Sequence, residues 1–496
     1  MGESRGVMSS TRWTALAALV CSAVLSAQPA VPASTRSVDQ LHHDIDAILG
    51  APLLQHGLWG VVVKPVDRDE ALYTKNGNML MMPASSLKVV TLASAVEKLG
   101  WDFKYETKVY AVGNVSNGTL NGDLVVVGSG DPSLDDWDGN ATRLFNDWAT
   151  QLKAAGITAI NGRIVGDDNA FDDETIGFGW AWDDLAAGFA AGVSALQFNE
   201  GNVQLRLGPG DAVGERGIAT ISPDYSGLTL KNMIVTAPSD TIGNVTRHRL
   251  LGSSQLELRG TLPLRGRPYA QTASVDNPTL YYVNALRASL LADGIAVSGP
   301  AVDIDDLPTP PSHDRLQPLI TYQSPPLSML ATTMMKLSQN QFAEALFKTV
   351  GGGTAEAART AERDVLQNWG IDPATVIIAD GSGLSRYNYI TPDTMVAVLT
   401  HVARNERMRA AYMSTLPIAG RDGTLELRMK GTLAEGRAFV KTGSMNSVRT
   451  STGFVQTADG QMLVFAIFAN NFSNSSAVIN AATDEIIVRL ASYRSR

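Results

Sequence analysis

The stretch from Met82 to Thr91 contains a serine and a lysine whose spacing could support nucleophilic catalysis. Ser85 and Lys88 stand three residues apart, so on a helix their side chains share one face. A serine hydroxyl becomes a nucleophile when a base takes its proton, and a neutral lysine one turn on can be that base. A helix-capping serine followed by a surface lysine would give the same letters. Of the twelve lysines in the chain, however, only Lys88 has a serine three positions before it.

Two polar triplets downstream could complete such a site. Ser338 and Asn340 form a Ser-x-Asn triplet at a predicted turn in a helical region, and Lys441 begins a Lys-Thr-Gly triplet at the end of an apolar strand. Each triplet alone is weak evidence, because Ser-x-Asn recurs at residues 444–446 and a strand-end lysine is usually solvated. Their joint occurrence with Ser85 and Lys88 is much rarer by chance than any single motif.

The segments around these residues predict one antiparallel sheet with helices on both faces. Helical and alternating apolar periodicity separate the two kinds of element. The predicted helices cover residues 38–54, the Ser85 helix up to about residue 100, and residues 326–350, 356–369 and 477–493. The predicted hairpins pair residues 58–66 with 71–74 and 452–456 with 462–469, and further strands are predicted at 375–378 and 438–441.

Residues 104 to 313 are predicted to be an insertion between the Ser85 helix and the Ser338 region. Strand and turn patterns dominate there, most of all between Gly192 and Ala273, with helices predicted at 141–155 and within 275–297. A proline-rich segment, Leu307–Pro311, marks its end. The N- and C-terminal parts are therefore expected to form one α/β domain, and the insertion is expected to have its own cores.

Length and composition restrict the class of protein. The 496 residues allow two to four domains, and contents of 44% hydrophobic and 18% charged residues are those of a soluble globular protein. The net charge of −9, without any basic run, argues against a nucleic-acid partner. Neither Gly-x-Ser-x-Gly nor His-Glu-x-x-His occurs, so the α/β-hydrolase and zinc-protease classes lack their motifs. The six histidines have no metal-ligand spacing, and no metal and no cofactor are expected.

Residues 1–27 are predicted to be a secretory signal peptide. Two arginines precede an apolar run from Trp13 to Leu25, and small residues follow it. Cleavage after Ala27 or after Ala33 fits the pattern. The only cysteine, Cys21, lies in the apolar run, so the mature chain would contain no disulfide and no cysteine metal site. We therefore expect a periplasmic or otherwise extracytoplasmic protein that is at most loosely associated with a membrane.

Ser-x-x-Lys, Ser-x-Asn and Lys-Thr-Gly, in this order, are the motif set of penicillin-binding proteins and serine β-lactamases. Ser85 and Ser338 lie 253 positions apart, too far for a class A β-lactamase. In this spacing the chain resembles the class C low-molecular-mass penicillin-binding proteins, the D-alanyl-D-alanine carboxypeptidase/endopeptidase family. Gln339 departs from the family, where aspartate is common at the centre of Ser-x-Asn. Three more segments are similar to that family: Gly128–Leu134, Asp380–Arg386 and Gly420–Leu425.

The resemblance implies an α/β (α+β) fold built on a penicillin-binding, β-lactamase-like transpeptidase domain with an antiparallel sheet flanked by helices. It also implies two nested inserted domains, the inner one mostly β. The corresponding boundaries are residues 28–103 and 314–496 for the catalytic domain, 104–187 and 277–313 for the inserted α/β domain, and 188–276 for the nested β-rich domain.

The chemistry of serine acylation and the family resemblance indicate the same reacting groups. Ser85 is expected to attack the carbonyl of a D-Ala-D-Ala peptide and become acylated, with Lys88 as its base. A free lysine with a pKa near ~10.4 is neutral only about four times in ten thousand at pH 7, so Lys88 needs a pKa depressed by burial and by a second cation such as Lys441. Ser338 is expected to carry the proton to the leaving D-alanine.

The remaining motif residues are expected to hold the substrate. Asn340 would bind the substrate amide, and Lys441 with Thr442 would bind the terminal carboxylate. Gly443 would let the substrate backbone lie close along the strand. The backbone N–H groups of Ser85 and Ser444 would form the oxyanion hole.

The resemblance also implies a pocket for the charged end of a peptidoglycan side chain. In the family an aspartate of the insertion and the arginine after Gly-Leu-Ser grip that end, which points to Asp184 and Arg386 here. Phe189 is expected to wall the same pocket. The alternative is that Asp183 and Asp184 cap the next helix.

The expected function is that of a serine D-alanyl-D-alanine carboxypeptidase/endopeptidase that acts through an acyl-enzyme and is acylated by penicillin. Its expected partners are peptidoglycan peptides, either ending in D-Ala-D-Ala or cross-linked, and β-lactam antibiotics. Two alternatives remain: a β-lactamase-like hydrolase, which the large insertion disfavours, and a penicillin sensor with little turnover. Release of acyl groups from a D-Ala-D-Ala peptide would separate the sensor from the enzyme.

Overall fold

The computed structural model describes residues 37–136 and 139–495, so the predicted signal peptide and Cys21 lie outside the described residues. The ten helices in this part of the chain are α1 (Val38–Leu49), α2 (Lys88–Leu99), α3 (Asn140–Ala154), α4 (Pro278–Ala292), α5 (Leu327–Lys336), α6 (Asn340–Val350), α7 (Ala355–Asn368), α8 (Pro392–Arg404), α9 (Glu406–Thr415) and α10 (Ser476–Ser492). None of the helices described is long and apolar enough to cross a bilayer.

The same residues form twenty strands. They are β1 (Leu58–Pro65), β2 (Tyr73–Lys75), β3 (Glu106–Ser116), β4 (Thr119–Val127), β5 (Ala159–Ile160), β6 (Ile164–Asp167), β7 (Asn202–Gly208), β8 (Ile218–Ser222), β9 (Thr229–Ala237), β10 (Asn244–His248), β11 (Gln255–Pro263), β12 (Tyr269–Ser274), β13 (Ala296–Val297), β14 (Ala301–Asp303), β15 (Ile320–Gln323), β16 (Val376–Ile377), β17 (Tyr389–Ile390), β18 (Ala438–Met445), β19 (Val448–Gln456) and β20 (Met462–Asn470).

A five-stranded antiparallel sheet, in the order β18-β19-β20-β1-β2, joins the two ends of the chain. Both faces are covered, because alternate residues of one strand point to opposite sides. On β20, Phe465 and Ile467 pack in the core that contains α1 and α10, whereas Val464 and Phe468 pack in the core that contains α2 and α8. The expected antiparallel sheet with helices on both faces is thereby confirmed.

The insertion contains a seven-stranded mixed sheet. Strands β13, β5, β4, β3 and β15 follow one another, and β6 and β14 pair beside β4. Helices α3 and α4 cover this sheet through residues such as Trp148 and Tyr282. Strand β15 pairs with β3, so this sheet extends beyond residue 313, where the sequence suggested that the insertion ends. A proline-rich segment marks irregular chain but does not tell which sheet the next strand joins.

The region between β7 and β12 consists of two three-stranded sheets, β12-β7-β8 and β10-β11-β9. Its buried leucines, among them Leu205, Leu256 and Leu258, belong to the same hydrophobic cluster as Trp148 of α3. One continuous core therefore runs from the seven-stranded sheet into this β-rich region. Val125, Val165 and Ile304 form a second cluster within the insertion, so the expectation that the insertion has cores of its own is confirmed. The burial pattern of single strands could not show which cores merge.

Candidate active site

The candidate nucleophile, Ser85, lies in an irregular segment that packs against the five-stranded sheet. Ser85 belongs to a 3-10 turn, Ala84–Leu87, that leads directly into α2. The turn is fixed to strand β19 by Thr450, whose hydroxyl donates to the Pro83 carbonyl oxygen at 2.7 Å and lies 2.8 Å from Ser86 Oγ. Ser85 therefore lies at the start of a buried helix, on a turn that strand β19 holds in place.

Lys88 is fully buried at the first position of α2, directly behind the serine. Its Nζ lies 3.0 Å from Ser85 Oγ, 2.6 Å from Asn340 Oδ1 and 2.8 Å from the Ser382 carbonyl oxygen. Burial lowers the pKa of Lys88 to about 7, against the opposing effect of the negative charges of Glu344 and Asp380. The residue thus has the neutral fraction at pH 7 that the sequence analysis required of a base.

Lys441 is the second buried amine of the site. It lies on β18, and its Nζ donates to Ser338 Oγ at 2.8 Å and to the Thr442 carbonyl oxygen at 2.7 Å. Burial, and after it the neighbouring charge of Lys88, lowers the pKa of Lys441 well below its usual value. Ser338 occupies the predicted turn between α5 and α6, with a left-handed φ of 61°.

Asn340 begins helix α6 and is held in one orientation by the insertion. Its side-chain Nδ2 donates to the Phe189 carbonyl oxygen at 2.7 Å, so its Oδ1 faces Lys88. The next residue repeats the contact, because Gln341 Nε2 donates to the Gly192 carbonyl oxygen at 2.9 Å. The insertion therefore contacts the candidate catalytic residue Asn340 directly.

A cleft of about 440 Å³ opens in front of these groups. The sequence-predicted residues that line it are Ser85, Asp184, Phe189, Ser338, Asn340, Arg386, Thr442 and Ser444. Lys88 and Lys441 are fully buried, and neither of them lines the cleft. Thr424, which lies 2.9 Å from Thr442 through their hydroxyl oxygens, also lines the cleft and was not singled out from the sequence.

Gly443 packs against the turn that carries Ser85, and the expectation that it makes room for the substrate backbone stays a prediction. A Cβ at this position would lie 2.2 Å from Thr450 Oγ1 and 2.7 Å from the Pro83 carbonyl oxygen. The glycine lets strand β18 pack against the nucleophile turn. The sequence could not distinguish these explanations, since both require a residue without a side chain.

Asp184 and Arg386 line the same cleft, as the family resemblance implied. Partial burial and the charge of Asp183 raise the pKa of Asp184, and the charge of Arg386 opposes this shift. The alternative of a helix-capping aspartate finds no support, because only a 3-10 turn, Gly188–Ala190, follows and no side chain caps it.

Two buried carboxylates near Lys88 were not predicted from the sequence to belong to the site. Glu344 of α6 and Asp380 are 6% and 1% exposed, and both hold the backbone of the loop that ends at Gly383. A signal was present in the sequence, since Glu344 interrupts the apolar helical run from Phe342 to Phe347. Asp380 opens a segment that was matched to the family without being given a role.

One group of carboxylates among the described residues has the spacing that a metal ion requires. Oxygen atoms of Asp168, Asp303 and Asp305 lie within 4.8 Å of one another. They belong to the insertion, and none of them lines the cleft. The reacting groups of the cleft itself are hydroxyls, amines and amides, so the chemistry that they offer is acyl transfer to a serine.

The class of protein follows from the partner of the serine. A lysine one turn away, rather than a histidine, is the arrangement of penicillin-binding serine enzymes. Residues 41–493 match the D-Ala-D-Ala carboxypeptidase 3 (S13) family. The chain belongs to this family, and it is a serine-type D-alanyl-D-alanine carboxypeptidase.

The relatives cover nearly the whole chain. The chain is 32% identical to the D-alanyl-D-alanine carboxypeptidase of Actinomadura sp. (strain R39), over 95% of this chain and 88% of that protein. The crystal structure of penicillin binding protein 4 (dacB) from Haemophilus influenzae is similar with a TM-score of 0.79 and 28% identity, over 90% of this chain and 99% of that one. The same protein complexed with a novel β-lactam gives a TM-score of 0.73 at 28% identity, over 89% and 98%. The resemblance inferred from the motifs is confirmed.

The tight contact between Gly383 and the nucleophile turn makes a testable prediction. Gly383 has a left-handed φ of 81°, and a Cβ there would lie 1.9 Å from the Ala84 carbonyl oxygen. Gly383→Ala should therefore displace the turn that carries Ser85 and slow acylation by a fluorescent penicillin on the order of a hundredfold, since displacements of about 1 Å can have this effect.

Gly370→Ala is the matched control. Its φ of 78° imposes the same backbone strain, but nothing lies within 4 Å of the added Cβ. The left-handed backbone alone should cost each variant about 1 kcal/mol of folding stability, measured by denaturant unfolding. Gly383→Ala should lose more than this, because it also has the clash with the Ala84 carbonyl oxygen. Equal acylation rates in the two variants would show that the Gly383 contact does not position the serine.

Proposed function

We propose that the enzyme cleaves D-alanyl-D-alanine peptides through an acyl-enzyme on Ser85, with neutral Lys88 as the base. The observation that supports this proposal is the set of hydrogen-bond partners around Lys88 Nζ. A neutral amine has two hydrogens and one lone pair. The Ser382 carbonyl oxygen and Asn340 Oδ1 can only accept, so they take both hydrogens, and the lone pair is left for the Ser85 hydroxyl, the one partner that can donate.

The proton has a path from the base to the leaving group. As Ser85 Oγ bonds to the peptide carbonyl carbon, its proton passes to Lys88. Ser338 Oγ accepts a hydrogen bond from Lys441, so its own hydrogen is available for the nitrogen of the departing D-alanine. Ser338 would regain a hydrogen from the proton that Lys88 took up, which leaves Lys88 neutral again. In the second half of the reaction water attacks the ester, one of its protons passes through Lys88 to Ser85 Oγ, and the C–O bond of the ester breaks to restore the free serine. General acid–base steps of this kind contribute on the order of a hundred- to ten-thousandfold.

Substrate binding uses the groups that line the cleft. Asn340 keeps a second N–H for the substrate amide, since one N–H donates to the Phe189 carbonyl oxygen. Thr442, with Thr424 beside it and Lys441 behind it, would bind the terminal carboxylate. The backbone N–H groups of Ser85 and Ser444 would stabilise the oxyanion, each by about 3 kcal/mol.

Asp184 and Arg386 would read the peptide side chain. A zwitterionic side-chain end, such as that of diaminopimelate, presents an ammonium and a carboxylate, which match one acidic and one basic group in the same cleft. Phe189 would wall this part of the cleft. Such substrates belong to peptidoglycan, either uncross-linked or cross-linked. We therefore also propose that the enzyme acts outside the cytoplasm and that residues 1–27 export it.

Covalent labelling tests the nucleophile. A labelled penicillin should form a stable adduct on Ser85, and Ser85→Ala should abolish labelling and D-alanine release while the protein keeps its unfolding transition. Ser94→Ala is the control, because Ser94 lies on the same helix but its buried hydroxyl makes no hydrogen bond. Mass-spectrometric mapping of the adduct to any other serine, or normal turnover by Ser85→Ala, would refute the assignment.

Side-chain selectivity tests the Asp184 pocket. Asp184→Ala should slow hydrolysis of peptides whose side chain ends in a free amine and carboxylate by about ten- to a hundredfold, which corresponds to a partly buried charge pair of ~1–3 kcal/mol. Penicillin acylation should stay nearly unchanged. Asp183→Ala, which alters the neighbouring carboxylate that does not line the cleft, should have little effect.

Parallel kinetics on peptides with a free and an acetylated side-chain amine decide the question. The wild-type enzyme should prefer the free amine, and Asp184→Ala should lose this preference. Equal rates on both peptides in the wild-type enzyme would mean that the pocket does not read the charge.

A further inference from the structure

The loop from Asp380 to Gly383 places backbone peptide groups between two buried carboxylates and the candidate base. The peptide group between Ser382 and Gly383 is engaged at both ends: its carbonyl oxygen accepts from Lys88 Nζ at 2.8 Å, and its N–H donates to Asp380 Oδ1 at 2.8 Å. An amide engaged in this way is polarised along the line from the carboxylate to the amine, which strengthens both hydrogen bonds.

Glu344 holds the preceding part of the same loop. Its two carboxylate oxygens accept from the N–H groups of Gly381 and Ser382, at 3.1 Å and 2.7 Å. Asp380 is fixed in turn by further donors, among them Ser385 N–H at 2.6 Å and the indole N–H of Trp180 at 2.9 Å. The Ser382 carbonyl, which accepts the hydrogen bond from Lys88, is therefore held in one orientation.

We propose that Asp380 and Glu344 are positioning residues of the reaction, which fix the Ser382 carbonyl and, through the loop, place negative charge behind Lys88. The inference rests on Lys88 being the base. It extends the mechanism to two residues that do not touch the substrate. When Lys88 receives the Ser85 proton it becomes a buried cation, and the carboxylates offset the cost of that charge.

Each element packed around Lys88 contributes a charged or titratable group. Helix α6 supplies Glu344 and the loop supplies Asp380, and the charges of both raise the pKa of Lys88 against the effect of burial. Strand β18 supplies Lys441, whose pKa is lowered by burial and then by the charge of Lys88. Helix α7 supplies Glu362 one step further back; burial raises its pKa to about 8, so it carries little charge at neutral pH.

Glu344 is buried beside Asp380. Burial, followed by the charge of Asp380, raises the pKa of Glu344 to about 7, and the hydrogen bonds that it accepts from the N–H groups of Gly381 and Ser382 oppose this shift.

The pH dependence of acylation by a fluorescent penicillin tests the proposal. In the wild-type enzyme the rate should rise with pH along an acidic limb near the pKa of Lys88, because only the neutral amine is a base. Asp380→Asn and Glu344→Gln remove a negative charge that favours protonated Lys88. The acidic limb should therefore move to lower pH, while the plateau rate falls about tenfold or more because the new cation is less well stabilised.

Two control variants separate charge from packing. Thr91→Val removes a hydrogen bond of 2.8 Å to the Gly381 carbonyl oxygen, so it loosens the same loop without changing any charge. Its acidic limb should stay in place. Glu344→Asp keeps the charge but shortens the side chain, and its limb should lie closer to that of the wild-type enzyme than the limb of Glu344→Gln does.

An unmoved acidic limb in both charge-removing variants would reduce the carboxylates to structural residues and overturn the proposal, as would unchanged rates. Thermal unfolding identifies any variant that does not fold. If Asp380→Asn does not fold, the comparison of Glu344→Gln with Glu344→Asp tests the proposal, because Glu344 contacts the loop at the N–H groups of Gly381 and Ser382. Failure of the proposed function would look different, since the wild-type enzyme itself would then show no acylation of Ser85.

Discussion

The site depends on the burial of two lysine amines away from water. Lys88 and Lys441 are both fully buried, and burial disfavours the charged form of an amine, so their pKa values fall. A buried amine is tolerated only when its hydrogen-bonding groups find partners. The nucleophile turn, helix α6, strand β18 and the Asp380 loop converge at one place because each of them supplies such a partner. The contacts that satisfy the hydrogen-bonding groups of the amines also orient Lys88 toward Ser85 and Lys441 toward Ser338.

The insertion belongs to this arrangement and is not a separate attachment. It meets helix α6 through polar contacts, such as the partly buried ion pair of 2.6 Å between Lys348 and Asp172 and the hydrogen bond from Asn340 to the Phe189 carbonyl oxygen. Trp180 reaches the loop behind Lys88, and Asp184, four residues later, lines the cleft. A single segment of the insertion thus connects the positioning of the base with the proposed recognition of the peptide side chain.

The sequence predicted the parts of the structure that depend on spacing and period. Ser85 and Lys88 at helical spacing, the turn at Ser338 and the strand that carries Lys441 were all visible as patterns, and the order of the motifs identified the family. Contacts between distant segments were not visible. The packing of Gly443 against Pro83, the shared core of the insertion and the clamp of Glu344 and Asp380 on the loop each arise from tertiary neighbours that no local pattern encodes.

The protonation state of Lys88 can be measured directly. Lysine labelled with ¹³C at Cε allows an NMR titration, and the Lys88 resonance is identified by its absence in Lys88→Arg. We expect this resonance to titrate near pH 7, well apart from exposed lysines with pKa values near ~10.4. A Lys88 resonance that titrates together with the exposed lysines would show that the amine stays charged at neutral pH, and it would contradict the role of Lys88 as the base.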